Sequence, residues 1–267
     1  MTTTAPSRSS YVLDPAWHAE RERLTSLTEL YDGTTMRLAE ELGLTTGWHC
    51  AELGAGTGTV ARLLADRVGP DGSVLAVDTD TRFLDVLADD VLTVERQDVT
   101  ATPLPAGSFD LVHARLLLEH LPERDAVLPA VAEALVPGGW LLVEDFHWIT
   151  TSVIDPPDPQ YIRVAEACRT LMSAGGYDPG YGARLPRALA EAGLTDVGTS
   201  ASSALVRADQ RRGVPQWELL VEQLRPALLA RGLVTEADLA GFTALCHDGD
   251  TVLFAPLMVS SWGRRPA

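Results

Sequence analysis

Lysine is absent from this chain: all 21 basic residues are arginine. That excludes a lysine Schiff base and the lysine of a phosphate-binding P-loop. The bias itself reads as the codon usage of a GC-rich genome. Cysteine is scarce. Cys50, Cys168 and Cys246 are odd in number, widely spaced and form no C-x-x-C. This speaks against a disulfide framework or a zinc site and fits a reducing cytoplasm. They read as small buried hydrophobes. No apolar run approaches the roughly 18 residues of a membrane helix. The opening MTTTAPSRSS has a single Arg and no apolar core, so no secretory leader is expected there. Positive charge is in short supply overall, with 37 acidic residues and a net charge of −16. An acidic surface repels phosphate backbones and anionic lipid, so neither nucleic acid nor a membrane is an expected partner.

What is present suits one large α/β domain: 267 residues, 46% of them hydrophobic. Apolar stretches at 48–53, 73–78, 91–98, 109–114 and 140–146 read as buried strands, alternating with helical patterns. The first helix starts at Asp14-Pro15, with Asp as N-cap and Pro at the first helical position, and runs to Leu42 with one break near Asp32-Gly33. Val60, Leu63, Leu64 and Val68 recur at helical spacing. Residues 82–88 are expected to be helical. So are 126–135, behind Asp125 as N-cap and with Pro129 near the first turn. Strands alternating with helices of about ten residues mean βαβ units and a doubly wound parallel sheet. Beyond residue 147 the rhythm changes. Helices are expected at 160–173, 184–192 and 214–245, with strands at 196–206 and 251–262. The whole reads as a single domain, 1–267, with cap segments at 11–43, 147–183 and 207–250 over one edge of the sheet.

The informative stretch is AELGAGTGTV, 51–60. The dinucleotide fingerprint G-x-G-x-x-G would need a glycine where Thr59 stands, and the loop is instead G-x-G-x-G behind Glu52. Asp78 ends the second expected strand 20 residues after Gly58, and Asp98 ends the third another 20 on. In a doubly wound sheet these strand ends border one crevice. A carboxylate at the second strand end suits paired ribose hydroxyls. One at the third suits an exocyclic amine. Together they describe an adenosine. The alternative for each acid is a solvated strand end, and for the glycines a tight turn without ligand.

ELGAGTG at 52–58, the acid of AVD at 78, QDV at 97–99, FDLVHA at 109–114 and PGGWLLVED at 137–145 together resemble the successive motifs of class I S-adenosylmethionine (SAM)-dependent methyltransferases. The resemblance covers about residues 20–150 well and the rest loosely. It implies a seven-stranded, mostly parallel Rossmann-like sheet with a reversed last strand. SAM would lie across its strand ends and leave as S-adenosylhomocysteine. It also implies cofactor contacts at Glu52, Gly54, Ala55, Gly56 and Gly58, at Asp78 with Thr79, at Asp98 with Val99, and at His113 with Arg115. No metal is implied.

Methyl transfer needs an acceptor atom held in line behind the sulfonium methyl, and a base if the acceptor carries a proton. His113, His147 and Tyr11 are the candidates. His113 is otherwise a histidine satisfied by backbone at a strand end, and Arg115 otherwise a surface ion pair. Glu119 and His120, on a short turn, and Glu144 and Asp145, closing the fifth strand, stand nearby. The aromatics Tyr11, Trp17, Tyr31, Trp148, Tyr177, Tyr181 and Trp217 fall in the cap and suggest a pocket for a flat apolar acceptor. DPPD at 155–158 reads as a loop. The function expected is methylation of an oxygen or activated ring carbon of a small aromatic or heteroaromatic metabolite, a phenol, quinone or indole-like compound of specialised metabolism, by a protein free to form a homodimer. The alternatives are a nicotinamide-dependent oxidoreductase and a non-catalytic SAM-binding protein.

Overall fold

The structure is a computed structural model that describes residue 13, residues 17–210 and residues 213–267. Its centre is a seven-stranded sheet in the order β3-β2-β1-β4-β5-β10-β7. The strands are β1 (His49–Leu53), β2 (Ser73–Asp78), β3 (Leu92–Arg96), β4 (Phe109–Arg115), β5 (Leu135–His147), β7 (Thr195–Ser202) and β10 (Leu257–Arg264). β1 to β5 pair in parallel, and β10 runs antiparallel between β5 and β7. This is the doubly wound sheet with a reversed last strand.

Alternation sorts the core into two faces. Cys50, Leu111 and Leu142 pack with Leu38 of α1 (Glu20–Glu41) and with Leu64 of α2 (Thr59–Val68). Ala51, Val112, Leu141 and Val143 face α3 (Arg124–Ala134) and α5 (Leu185–Glu191) through Leu128 and Leu189. A third core unites the cap. Tyr31 of α1, Cys168 of α4 (Pro159–Ala174), Trp217 of α6 (Val214–Ala230) and Phe242 of α7 (Glu236–Leu245) share it with Phe146 and Trp148.

Several local expectations are revised. α1 is unbroken at Asp32-Gly33, because an exposed helix tolerates glycine at a modest cost. Its expected N-cap, Asp14, lies outside the described residues. Residues 82–88 form only a 3-10 turn at Asp85–Leu87. The N-cap of α3 is Glu123 rather than Asp125, which puts Pro129 in the second turn. The single strands expected at 196–206 and 251–262 each divide. β8 (Leu205–Arg207), β9 (Val252–Phe254) and β6 (Ile154–Asp155) form a separate small sheet in the order β6-β9-β8. The division falls at Pro256, which cannot donate to a ladder and so separates β9 from β10. DPPD ends β6 and then caps α4: Asp158 accepts hydrogen bonds from the backbone of Gln160 and Tyr161.

Candidate active site

The glycine loop joins β1 to α2 with three left-handed glycines, Gly54 (φ 66°), Gly56 (φ 56°) and Gly58 (φ 79°). Gly54 and Ala55 donate to the backbone carbonyl of Val77. Asp78, at the end of β2, is an anchor of the loop. One of its oxygens accepts from Gly56 N at 2.9 Å and the other from Asp80 N at 3.0 Å. Each carboxylate oxygen keeps further acceptor capacity, so this anchoring leaves room for hydroxyl donors. Gly58 answers to packing: a Cβ there would stand 2.5 Å from Leu87 and 2.7 Å from Leu84. Leu117 lies over Gly54 and Leu24 of α1 over Gly56. The N-terminus of α2 opens beside the loop, where a helix favours an anion.

Asp98 is exposed and turns back on its own chain, accepting from Thr100 N and Oγ1. Val99 beside it is half-buried and Thr79 is exposed. All four acid-end residues, Asp78, Thr79, Asp98 and Val99, stand at the carboxyl ends of β2 and β3, along one edge with the glycine loop.

His113 is in another situation than a base requires. Its ring is 1% exposed, with Nδ1 2.5 Å from Glu52 Oε2 and Nε2 3.1 Å from Glu144 Oε2. Sheet register builds this row. Glu52 pairs directly with His113 across β1 and β4, and Glu144 pairs with Ser260 across β5 and β10. Burial alone would lower the pKa of His113. The charge of Glu52 and hydrogen bonds to both carboxylates outweigh it and lift the value to about 9. Both nitrogens are thus engaged and the ring is protonated at neutral pH, so it cannot take a proton from an acceptor. Glu144 also receives the hydroxyls of Ser260, at 2.5 Å, and of Thr35 from α1. Burial pushes its pKa up, but His113, Arg115 and Ser260 bring it below the ordinary value.

Arg115 is likewise committed. It donates to Asp32 at 2.6 Å and to Thr35 at 3.0 Å, pinning α1 to the end of β4. Its guanidinium is ion-paired with Asp32. Leu116, the next residue, is left-handed (φ 54°), a strained conformation for a branched side chain where the chain leaves the sheet.

His147 ends β5 half-buried, and its Nδ1 accepts from Ile149 N at 3.2 Å. With Nδ1 accepting, the ring's proton sits on Nε2, which is then a donor. Tyr11 lies outside the described residues.

On the opposite face of β5, Glu119 and Asp145 form a buried acidic pair. Glu119 accepts from Phe146 N at 2.8 Å and is hydrogen-bonded to Tyr177. Asp145 is fully buried, with the backbone N–H groups of Glu119 and Leu117 turned toward its carboxylate. Burial, then mutual repulsion, raises Glu119, and burial raises Asp145. His120 is held neutral, its pKa lowered to about 3 by burial and then by Arg23 and Arg124. Tyr177 accepts the indole N–H of Trp148 at 2.5 Å, and Trp148 meets Trp217 edge to face at 5.7 Å. Tyr31 packs on Phe146 in the same core. Tyr181 does not join them: it sits on the α5 face under Arg124 and Arg184.

Sequence reading missed Thr35, Asp32, Ser260 and the Glu119–Tyr177 link. The signal available for the row was polar residues two apart from apolar ones in buried strands, as in Cys50/Glu52, Leu111/His113 and Leu142/Glu144. Among the described residues no helix is long and apolar enough to cross a membrane, and no His, Cys, Asp or Glu group has metal-ligating geometry.

A methyltransferase domain family matches residues 51–139. Methyltransferase str2 of Strobilurus tenacellus is 31% identical over 188 residues, covering 69% of this chain and 66% of that protein. The ubiquinone/menaquinone biosynthesis C-methyltransferase UbiE of Chromobacterium violaceum is 29% identical over 170 residues, covering 60% of this chain and 68% of its own. The chain therefore spans just under two thirds of the length of the Strobilurus protein. In fold it resembles phosphoethanolamine N-methyltransferase 2 of Haemonchus contortus, solved with S-adenosylhomocysteine (TM-score 0.57, 17% identity, 89% of this chain and 53% of that one). It also resembles the [4+2]-cyclase SpnF (TM-score 0.54, 18% identity, 88% and 82% covered). The fold, the G-x-G-x-G loop tied to Asp78 and these relatives agree: the chain belongs to the class I S-adenosylmethionine-dependent methyltransferases.

Proposed function

We propose that this protein transfers the methyl group of SAM to an oxygen or activated ring carbon of a small, flat, aromatic or heteroaromatic metabolite. The observation that carries the reading is the aromatic core of the cap. Trp148 follows His147 at the end of β5, and Tyr177 and Trp217 pack against it in the buried core of the cap. A cap this rich in aromatic side chains supports a planar acceptor, and an aromatic face would also favour the sulfonium cation. The likeness to UbiE, named as a ubiquinone/menaquinone biosynthesis C-methyltransferase, supports a ring-carbon acceptor.

The engaged histidines refine this. With His113 protonated between carboxylates and His147 presenting a donor, the acceptor is one that ionises readily by itself, an acidic phenol or an enolised ring carbon. His147 Nε2–H then serves to hold the acceptor oxygen. Glu52 and the glycine loop hold the methionine end of SAM, Asp78 the ribose and Asp98 the adenine amine. Small molecules are the partners, and the net charge of −16 argues against nucleic acid.

The experiment is turnover of purified protein with SAM and a panel of phenols, hydroxyquinones and indoles, scored by S-adenosylhomocysteine formation and product mass. Methylation of acidic phenols or enolisable rings supports the reading. Binding of S-adenosylhomocysteine without turnover on any of them would turn it toward a non-catalytic SAM-binding protein.

A further inference from the structure

The row under the glycine loop has an asymmetry. Glu144 is well supplied: His113, Ser260 and Thr35 all donate to it, and Arg115 lies close. Glu52, 3% exposed, has His113 as the partner of its carboxylate, through one oxygen at 2.5 Å. One imidazole ring therefore serves two buried carboxylates. A buried carboxylate with a single charged partner is costly unless another cation or donor reaches it. Glu52 stands two residues before Gly54, where the chain turns back on itself (φ 66°) to form the loop assigned to the methionine end of SAM. That end of the cofactor carries an α-ammonium, a cation with three donors.

We propose that His113 is a positioning residue for the cofactor: wedged between Glu52 and Glu144, it aims the second oxygen of Glu52 at the α-ammonium of SAM. This rests on the reading that the glycine loop holds the methionine end. The raised pKa of His113 fits the role, since a ring that donates from both nitrogens fixes both carboxylates at once. A neutral amide at this position can donate to both carboxylates but brings no positive charge, and Glu52 would no longer be held in one orientation.

The test is calorimetric titration with S-adenosylhomocysteine and with its deaminated analogue, which keeps the carboxylate and adenosine but lacks the ammonium. The wild type should prefer S-adenosylhomocysteine by about 30-fold, the range of a charge-assisted hydrogen bond. His113→Gln should cut that preference about tenfold by weakening S-adenosylhomocysteine alone. Asp78→Ala should weaken both ligands alike and keep the preference. Because His113→Gln leaves two buried carboxylates facing each other and can fail to fold, a second measurement uses the wild type. With 15N-labelled histidine, the Nδ1–H signal of His113 should move on adding S-adenosylhomocysteine and stay in place with the analogue. A wild-type preference below about threefold, an undiminished preference in folded His113→Gln, or an unmoved His113 signal overturns the proposal. A wild type that binds neither ligand overturns the reading of the glycine loop, and the proposal with it.

Discussion

Nδ1 of His113 lies 2.5 Å from Oε2 of Glu52, across the directly paired residues of β1 and β4. An ion pair so placed makes stability depend on pH in a defined direction. His113 has an ordinary value of 6.5 and a folded value near 9. Between those values the folded protein binds the proton that the unfolded chain has released. The contribution, on the order of 3 kcal/mol, is complete below about pH 6.5 and is lost as pH rises through about 9. Glu52 and Glu144 face the ring, and Arg115 lies beside Glu144. Thermal unfolding followed by circular dichroism should show the melting temperature falling from pH 7 to pH 10, with a flatter profile in His113→Gln. Equal slopes in the two proteins would remove the imidazolium from this account.

Gly58 and Gly33 should respond oppositely to the same substitution. Gly58→Ala forces a left-handed residue and drives a Cβ to 2.5 Å from Leu87, which should cost about 2–4 kcal/mol. Gly33 lies inside α1 with no atom within 4 Å of the Cβ it would gain. Gly33→Ala should stabilise by about 0.5–1 kcal/mol. Denaturant midpoints of the two variants check the pair, and a neutral Gly58→Ala would show that the loop is less confined than its packing.

Asp145 is buried, and burial holds its pKa well above the ordinary carboxylate value, against the opposing pull of the backbone N–H groups of Glu119 and Leu117. A raised acid binds its proton more tightly folded than unfolded, so its effect is harmless at low pH and becomes unfavourable as pH rises above about 4. Asp145→Asn should therefore stabilise at pH 7.5 by about 1–3 kcal/mol, with the gain vanishing near pH 4. Urea unfolding at the two pH values decides it; a loss at pH 7.5 would mean that the backbone donors of Glu119 and Leu117 outweigh the cost of burying the charge.

Asp78 holds the loop through Gly56 N at 2.9 Å and is assigned the ribose. Asp78→Ala should weaken S-adenosylhomocysteine binding by about 1–3 kcal/mol, the cost of leaving its partners unpaired. Calorimetry measures this directly. An unchanged affinity would leave Asp78 as a loop anchor only.

The local patterns in this chain determined a good deal by themselves. Buried strands at 49–53, 73–78 and 109–115 were legible because runs of β-branched and aliphatic residues bounded by glycine and aspartate have few other uses. The G-x-G-x-G loop and the acids at 78 and 98 were legible because spacing along alternating strands and helices places them on one edge. The tertiary structure decided what the polar residues between them do. Whether His113 is a base or the centre of an ion pair depends on register: Glu52 comes from one neighbouring strand, Glu144 from the other, and Thr35 from a helix 78 residues earlier. Arg115 meets Asp32 for the same reason. Residues 205–207 and 252–254 left the main sheet for a second one, because their partners were chosen by the cap's own core, around Trp148 and Trp217, and not by their apolar pattern. Periodicity records which face of a strand is buried; it carries no information about which strand lies alongside, and in this protein the chemistry is set by what lies alongside.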